Sequence, residues 1–150
     1  IPAPTSFIAG PAFAGIPVTH RNVAISFAVI TGHESKEKDF SQHHWKAYAG
    51  IDTLVFLMGV TNRQSIAKNL IDNGRNPLEP VAFVENATLK TQKIKKTNLD
   101  SLAKNPLEVF SPAIMIVGPV VDLNLEWFDP TQSTSIQEIH QFLQHAPNKS

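Results

Sequence analysis

The sequence predicts an α/β fold, a mixed five-stranded sheet flanked by helices, and three observations carry that prediction. Residues 52–58 (DTLVFLM) and 113–117 (AIMIV) are unbroken apolar runs, the pattern of strands covered on both faces. Between the first run and another short one opening at Pro80 lies a segment of helical period closed by Gly74, so strand, helix and strand alternate as in a crossover unit. Hydrophobic residues make up 42% of the 150 and charged residues 17%, a balance that excludes disorder and suits about one domain.

Each element follows from its residues. Residues 5–14 are small and apolar and end at Gly15 with Pro17 soon after, as expected of a buried helix closed by glycine. Residues 23–30 (VAISFAVI) mix β-branched and aromatic side chains and stop at a Thr31-Gly32-His33 turn, which reads as an interior strand. Residues 34–42 (ESKEKDFSQ) form a solvated loop leading into a short helix over 41–49. After the run at 52–58, Thr61 is placed to cap the clearest helix. Gln64 lies three residues on as in a capping box, and Ile66, Ala67, Leu70 and Ile71 fall at helical spacing. Pro80 then opens the strand VAFVEN. Residues 88–97 (TLKTQKIKKT) carry Lys90, Lys93, Lys95 and Lys96 and predict an edge or antiparallel strand with its lysines in solvent. Asn98 can cap a helix through Lys104, and 113–117 is the third strongly buried strand. Past Trp127-Phe128 the chain turns polar, and Ile136, Ile139, Phe142 and Leu143 recur at helical spacing behind a Ser135/Glu138 capping box.

Composition removes several chemistries. Thirteen basic and thirteen acidic residues cancel, which takes away the electrostatic footprint of a general nucleic-acid binder and leaves only a local basic patch open. The absence of cysteine excludes disulfides, thiolate metal sites and a cysteine nucleophile. No apolar stretch approaches the roughly 20 residues of a membrane-spanning helix. The amino terminus lacks the basic start of a signal peptide and begins at Ile1, which reads as a processed chain or a fragment. His43 and His44 are adjacent, whereas metal ligands on one helix face need a spacing of three or four; His140 and His145 have nothing acidic placed to orient them. Neither a G-x-S-x-G elbow nor a glycine-rich phosphate loop occurs. The lysines over 90–96 suit a solvated strand face better than an anion site. The sequons at Asn86 and Asn148 are patterns of high chance frequency.

Three strand ends remain. In an open α/β sheet, ligands bind beyond the carboxyl ends of strands, where small residues let backbone come close. Met58-Gly59, Asn86-Ala87-Thr88 and Ser111-Pro112-Ala113 are such ends. The thioether of Met58 suits a flat apolar group such as adenine. Spacing alone favours plain core packing for it instead.

The segments AGIPVTHR (14–21), TGHE (31–34), DTLVFLMG (52–59), PVAFVENAT (80–88), SPAIMIVGPVV (111–121) and WF (127–128) resemble the C-terminal half of the uroporphyrinogen-III C-methyltransferases, within the tetrapyrrole methylase family. The resemblance covers residues 1–128, a C-terminal S-adenosylmethionine-binding domain, and leaves 129–150 as an extension, helical by its spacing. It implies methyl transfer from S-adenosylmethionine to C2 and C7 of uroporphyrinogen III, giving precorrin-2 on the way to sirohaem and cobalamin. It further implies a cytoplasmic homodimer that uses no metal and binds neither nucleic acid nor membrane. Matched motif by motif, it places cofactor contacts at Thr5, Ser6, Met58, Ala87 and Ala113, and acid/base residues in an N-terminal domain that this sequence does not contain. The chain alone is therefore expected not to methylate. Two departures stand out: Pro2-Ala3-Pro4 replaces a proline-glycine turn, and Leu57 replaces a tyrosine. Other methyltransferases of the fold, acting in the cobalamin pathway, on diphthine or on RNA, remain alternatives, as does a non-catalytic module for dimerisation or ligand binding.

Overall fold

The computed structural model describes residues 4–32, 44–105, 107–123 and 125. The chain runs α1 (Ser6–Phe13), β1 (Phe27–Thr31), α2 (Trp45–Tyr48), β2 (Thr53–Leu57), α3 (Arg63–Asp72), β3 (Pro80–Glu85), β4 (Lys93–Asn98), α4 (Leu99–Lys104), β5 (Ala113–Val117) and a 3-10 turn, Pro119–Asp122. The five strands form one mixed sheet in the order β1-β2-β5-β3-β4, as the sequence predicts in class and strand number. Only β1 and β2 pair in parallel; β2 with β5, β5 with β3 and β3 with β4 are antiparallel. It follows that β1, β2 and β3 all point the same way while β5 points back. The carboxyl ends of the first three and the amino end of β5 therefore share one edge.

Strand alternation feeds two apolar layers. On one face Leu54, Phe56, Val81, Phe83, Met115 and Val117 meet Ile66, Ala67 and Leu70 of α3 and Leu99 and Leu102 of α4. On the other, Val55, Ala82, Val84, Ile114 and Ile116 meet Ile16, Ala24, Val120 and Val121, with Phe7 and Ala14 from the α1 side. Each fully buried Val, Leu, Ile, Phe or Met among them contributes about 1.5–3 kcal/mol. Being covered on both sides is what makes β2, β3 and β5 unbroken apolar runs.

The edge opposite the strand tips is closed by charge. Arg75, 6% exposed, donates to the carbonyls of Tyr48 (3.1 Å), Ile51 and Asp52 (3.2 Å) and forks onto Glu79 (2.5 and 2.7 Å). Asp52 Oδ2 accepts the amides of Ile25 (2.9 Å) and Ser26 (3.0 Å) and the Ser26 hydroxyl (2.9 Å). These bonds, that from the Ile25 amide first, hold its carboxyl below the usual range. Gly118 sits at φ 144, and a Cβ there would lie 2.5 Å from the Asp52 carbonyl oxygen, so only glycine fits this crossing.

Several expectations are corrected. β1 is an edge strand, not an interior one: Phe27 and Val29 are exposed on its outer side, and it begins at Phe27. Its expected first residues turn instead, because Ala24 bridges to His20 and the next two amides go to Asp52. α1 is not a buried helix; only Gly10 and Pro11 are buried, and Ser6 and Ile8 are open. Thr61 does not cap α3, whose N-cap is Asn62, and no capping box forms. Asn62 Nδ2 instead donates to the Gly32 carbonyl (2.8 Å), and Gln64 Nε2 to that of Ala103 (3.2 Å). β4 is the expected antiparallel edge strand but begins at Lys93. Its lysines are not all free in solvent: Lys95 pairs with Glu85 (3.0 Å), and Lys96 donates to the Val121 carbonyl (2.8 Å). The cap of α4 is as expected, Asn98 Oδ1 accepting from the Ser101 amide (2.8 Å). The predicted loop at 34–42, the start of the short helix before His44, and residues 129–150 with their predicted helix lie outside the described residues.

Candidate functional site

At the carboxyl edge three residues in two turns take a backbone form that side chains disfavour. Met58, Asn86 and Thr88 adopt φ of 55, 48 and 70, each at a cost of about 1–3 kcal/mol outside glycine. The first, directly after β2, throws the Met58 side chain outward until it is 61% exposed. Core packing is thereby excluded for that residue. The other two shape the loop after β3, which the Asn86 amide ties to the entry of β5 through the Pro112 carbonyl (3.0 Å).

Across this edge α1 closes one side. A Cβ on Gly10 would come within 2.3 Å of Ile114 Cδ1 and 3.4 Å of the Ala87 Cβ, so glycine lets the helix lie against the loop. Between helix and tips opens a cleft of about 680 Å³, within the roughly 300–1,000 Å³ of small-molecule sites. Ser6, Met58, Ala87 and Ala113 all line it, together with Leu57, Asn86 and Pro112. Among the described residues no Asp, Glu, His, Lys or Arg is in the lining.

Four of the five residues singled out as cofactor contacts thus converge on one cavity. The fifth, Thr5, precedes α1, is exposed and is not among the lining residues; its carbonyl accepts from the Ile8 and Ala9 amides. Thr61, assigned a capping role, lines the cleft instead, as do Val60 and Leu89. Their place directly after a strand-end turn was the available signal for Val60 and Thr61. For Leu89 the available signal was an apolar residue at the start of a polar, lysine-bearing stretch.

Just beneath the rim Glu85, 3% exposed, accepts from the Phe110 amide (2.8 Å) and pairs with Lys95, whose Nζ also donates to the Glu108 carbonyl (2.6 Å) and lies 5.2 Å from the Phe110 ring centre. Burial pushes its carboxyl up, but the Phe110 amide and the lysines outweigh it and leave the group below its ordinary value. Glu85 so fixes the segment that leads into Ser111 and Pro112.

An uncharged cleft with small residues at its tips can hold a flat, largely apolar ligand through backbone groups and one thioether. Among the described residues it offers no side chain to carry a proton at neutral pH.

Comparison with known proteins decides the family. Residues 1–103 match the family model of Tetrapyrrole (Corrin/Porphyrin) Methylases. The chain belongs to the tetrapyrrole methylase family. Among its fellow tetrapyrrole methylases, the uroporphyrinogen-III C-methyltransferase of Bacillus subtilis (strain 168) is 43% identical over 134 residues, 86% of this chain and 52% of that protein. One from Methanocaldococcus jannaschii is 40% identical over 126 residues, 82% of this chain and 52% of the relative. Among solved tetrapyrrole methylases, the uroporphyrin-III C-methyl transferase of Thermus thermophilus complexed with S-adenyl homocysteine superposes with a TM-score of 0.71 at 37% identity, covering 81% of this chain and 50% of that one. The chain spans about half the length of these relatives.

Proposed function

We propose that this chain is the cofactor-binding part of an S-adenosylmethionine-dependent uroporphyrinogen-III C-methyltransferase that methylates C2 and C7 of uroporphyrinogen III to give precorrin-2. The observation that carries the reading is the convergence of Ser6, Met58, Ala87 and Ala113 on one uncharged cleft at a single sheet edge. Support comes from the 43% and 40% identical relatives of that activity and from the Thermus enzyme's complex with the demethylated donor. The reading takes residues 1–128 as the donor-binding domain, 129–150 as an extension, and the whole as a cytoplasmic homodimer.

The cleft fits the donor by its size, by its small residues and by the lack of a cation among its described lining residues. When bound, S-adenosylmethionine supplies an electrophilic methyl group on a positively charged sulfonium. Ala87 and Ala113 leave room for it, and Met58 lays a polarizable sulfur along its rim. With no carboxylate among the described lining residues, the sulfonium charge is left unneutralised, so the methyl keeps its reactivity. The contribution of these residues is alignment, which in well-ordered sites reaches about 7–11 kcal/mol of a bimolecular barrier. Proton removal from the macrocycle falls to groups outside this cleft.

The test is direct. The protein carrying this chain, given S-adenosylmethionine with a labelled methyl group and uroporphyrinogen III, should place two labelled methyls on each macrocycle. A folded protein that binds S-adenosylhomocysteine yet labels no tetrapyrrole leaves the donor site standing and removes the substrate assignment; one that binds neither removes both.

A further inference from the structure

The two walls of the cleft, α1 and the loop after β3, are joined by a side chain that does not itself line the cavity. Gln92, half-buried just ahead of β4, accepts the Thr88 backbone N–H at Oε1 (2.8 Å) and donates from Nε2 to the Phe13 carbonyl (3.0 Å). The two partners are 75 residues apart in sequence (88 − 13) and belong to the two segments that supply Ser6 and Ala87 to the lining. Phe13 lies in the last turn of α1, where carbonyls must seek donors beyond the helix. Thr88 holds φ 70, a form that a β-branched residue keeps only when its surroundings impose it.

The amide has both functions that this geometry demands, an acceptor for the loop and a donor for the helix. N–H and C=O of one peptide unit point in opposite directions, so holding the Thr88 N–H also holds the Ala87 carbonyl. Ala87 is the residue of that loop against which Gly10 of α1 comes close.

We infer that Gln92 is a positioning residue for the adenosyl donor: it locks the loop that carries Ala87, left-handed at Asn86 and Thr88, and sets the width of the cleft against α1. The inference rests on the donor site proposed above. Losing Gln92 removes no group that touches the ligand; it lets the two walls drift apart.

Gln92→Leu, close in volume, deletes both bonds, whereas Gln92→Glu keeps the acceptor for Thr88 and deletes the donor to Phe13. In the protein carrying this chain, Gln92→Leu should raise the Kd for S-adenosylhomocysteine and the KM for S-adenosylmethionine about tenfold, the loss expected of such bonds. The KM for uroporphyrinogen III should stay unchanged, the thermal midpoint should move by only a few degrees, and amide hydrogen exchange should quicken over residues 86–89. Gln92→Glu should fall between wild type and Gln92→Leu. Equal donor affinity in wild type and Gln92→Leu, or a rise in both KM values together with a collapse of the thermal midpoint, overturns the inference. If the wild type binds no S-adenosylhomocysteine the donor reading fails on its own, and exchange still decides the role of Gln92: unchanged rates over 86–89 in Gln92→Leu refute it, and acceleration confined to that loop upholds it.

Discussion

Where β2 and β3 begin, the sheet is sealed by a guanidinium that meets three carbonyls and a carboxylate, and by an aspartate that meets two amides and a hydroxyl. Where the same strands end, the chain exposes a methionine, places alanines at its tips and holds three side-chain-bearing residues in left-handed backbone. One end saturates its polar groups with charge; the other keeps charged side chains out of the described lining of its cleft and carries strain. A fold can afford the second because of the first. The difference teaches that stability and ligand binding are assigned to opposite ends of the same strands, so substitutions at the two ends should fail in different ways.

The largest expected effect lies at the sealed end. Arg75→Met removes the guanidinium that pairs with Glu79 and donates to three carbonyls, and should cost about 3–5 kcal/mol in urea unfolding. Ligand affinity of the folded fraction should be untouched; a weakened site with unchanged stability breaks the comparison. At the open end the order reverses. Ala113→Leu fills the cleft and should weaken S-adenosylhomocysteine at least 100-fold, about 2.7 kcal/mol, while Met58→Ala should cost about tenfold. Titration calorimetry reads both, and thermal midpoints should stay close to wild type, since one residue is half-buried at a strand start and the other exposed.

The smallest effect is that of pH. Asp52 and Glu85 both have depressed carboxyl pKa values in the folded chain. A depressed acid contributes stability that is fully present above its unfolded value, near 4, and is lost as pH falls through the folded one. The thermal midpoint should therefore be insensitive to these two groups between about pH 8 and 5 and decline below about pH 4. Donor affinity, with no titrating side chain among the described residues of the lining, should be level from about pH 6 to 8; a protein-linked step in that window contradicts the uncharged lining.

Much of this was legible in the sequence for one physical reason. Strands covered on both faces must be apolar throughout, so β2, β3 and β5 announce themselves. Asn98 was legible because a cap bond is local. What escaped depends on contacts distant in sequence. The start of β1 is decided by Asp52, 27 residues beyond Ile25, and the side chain of Asn62 is drawn to Gly32 from a different strand end. At the site, strand ends and motif resemblance named Ser6, Met58, Ala87 and Ala113. Periodicity could not place Thr61 on the wall of the cleft, because a residue able to cap a helix and one lining a cavity look alike in sequence. Nor could it reveal Gln92, whose role exists only once Phe13 and Thr88 face each other.

The left-handed turns carry one more consequence. Glycine in place of Thr88 or Asn86 relieves the backbone and should make the protein more heat-resistant, since the present residues are held there against their own preference. The same replacement unlocks the loop on which Ala87 is carried. A laboratory selection for survival at high temperature and one for catalytic output would then enrich opposite residues at these two codons, and the residues found there now record which of the two pressures prevailed.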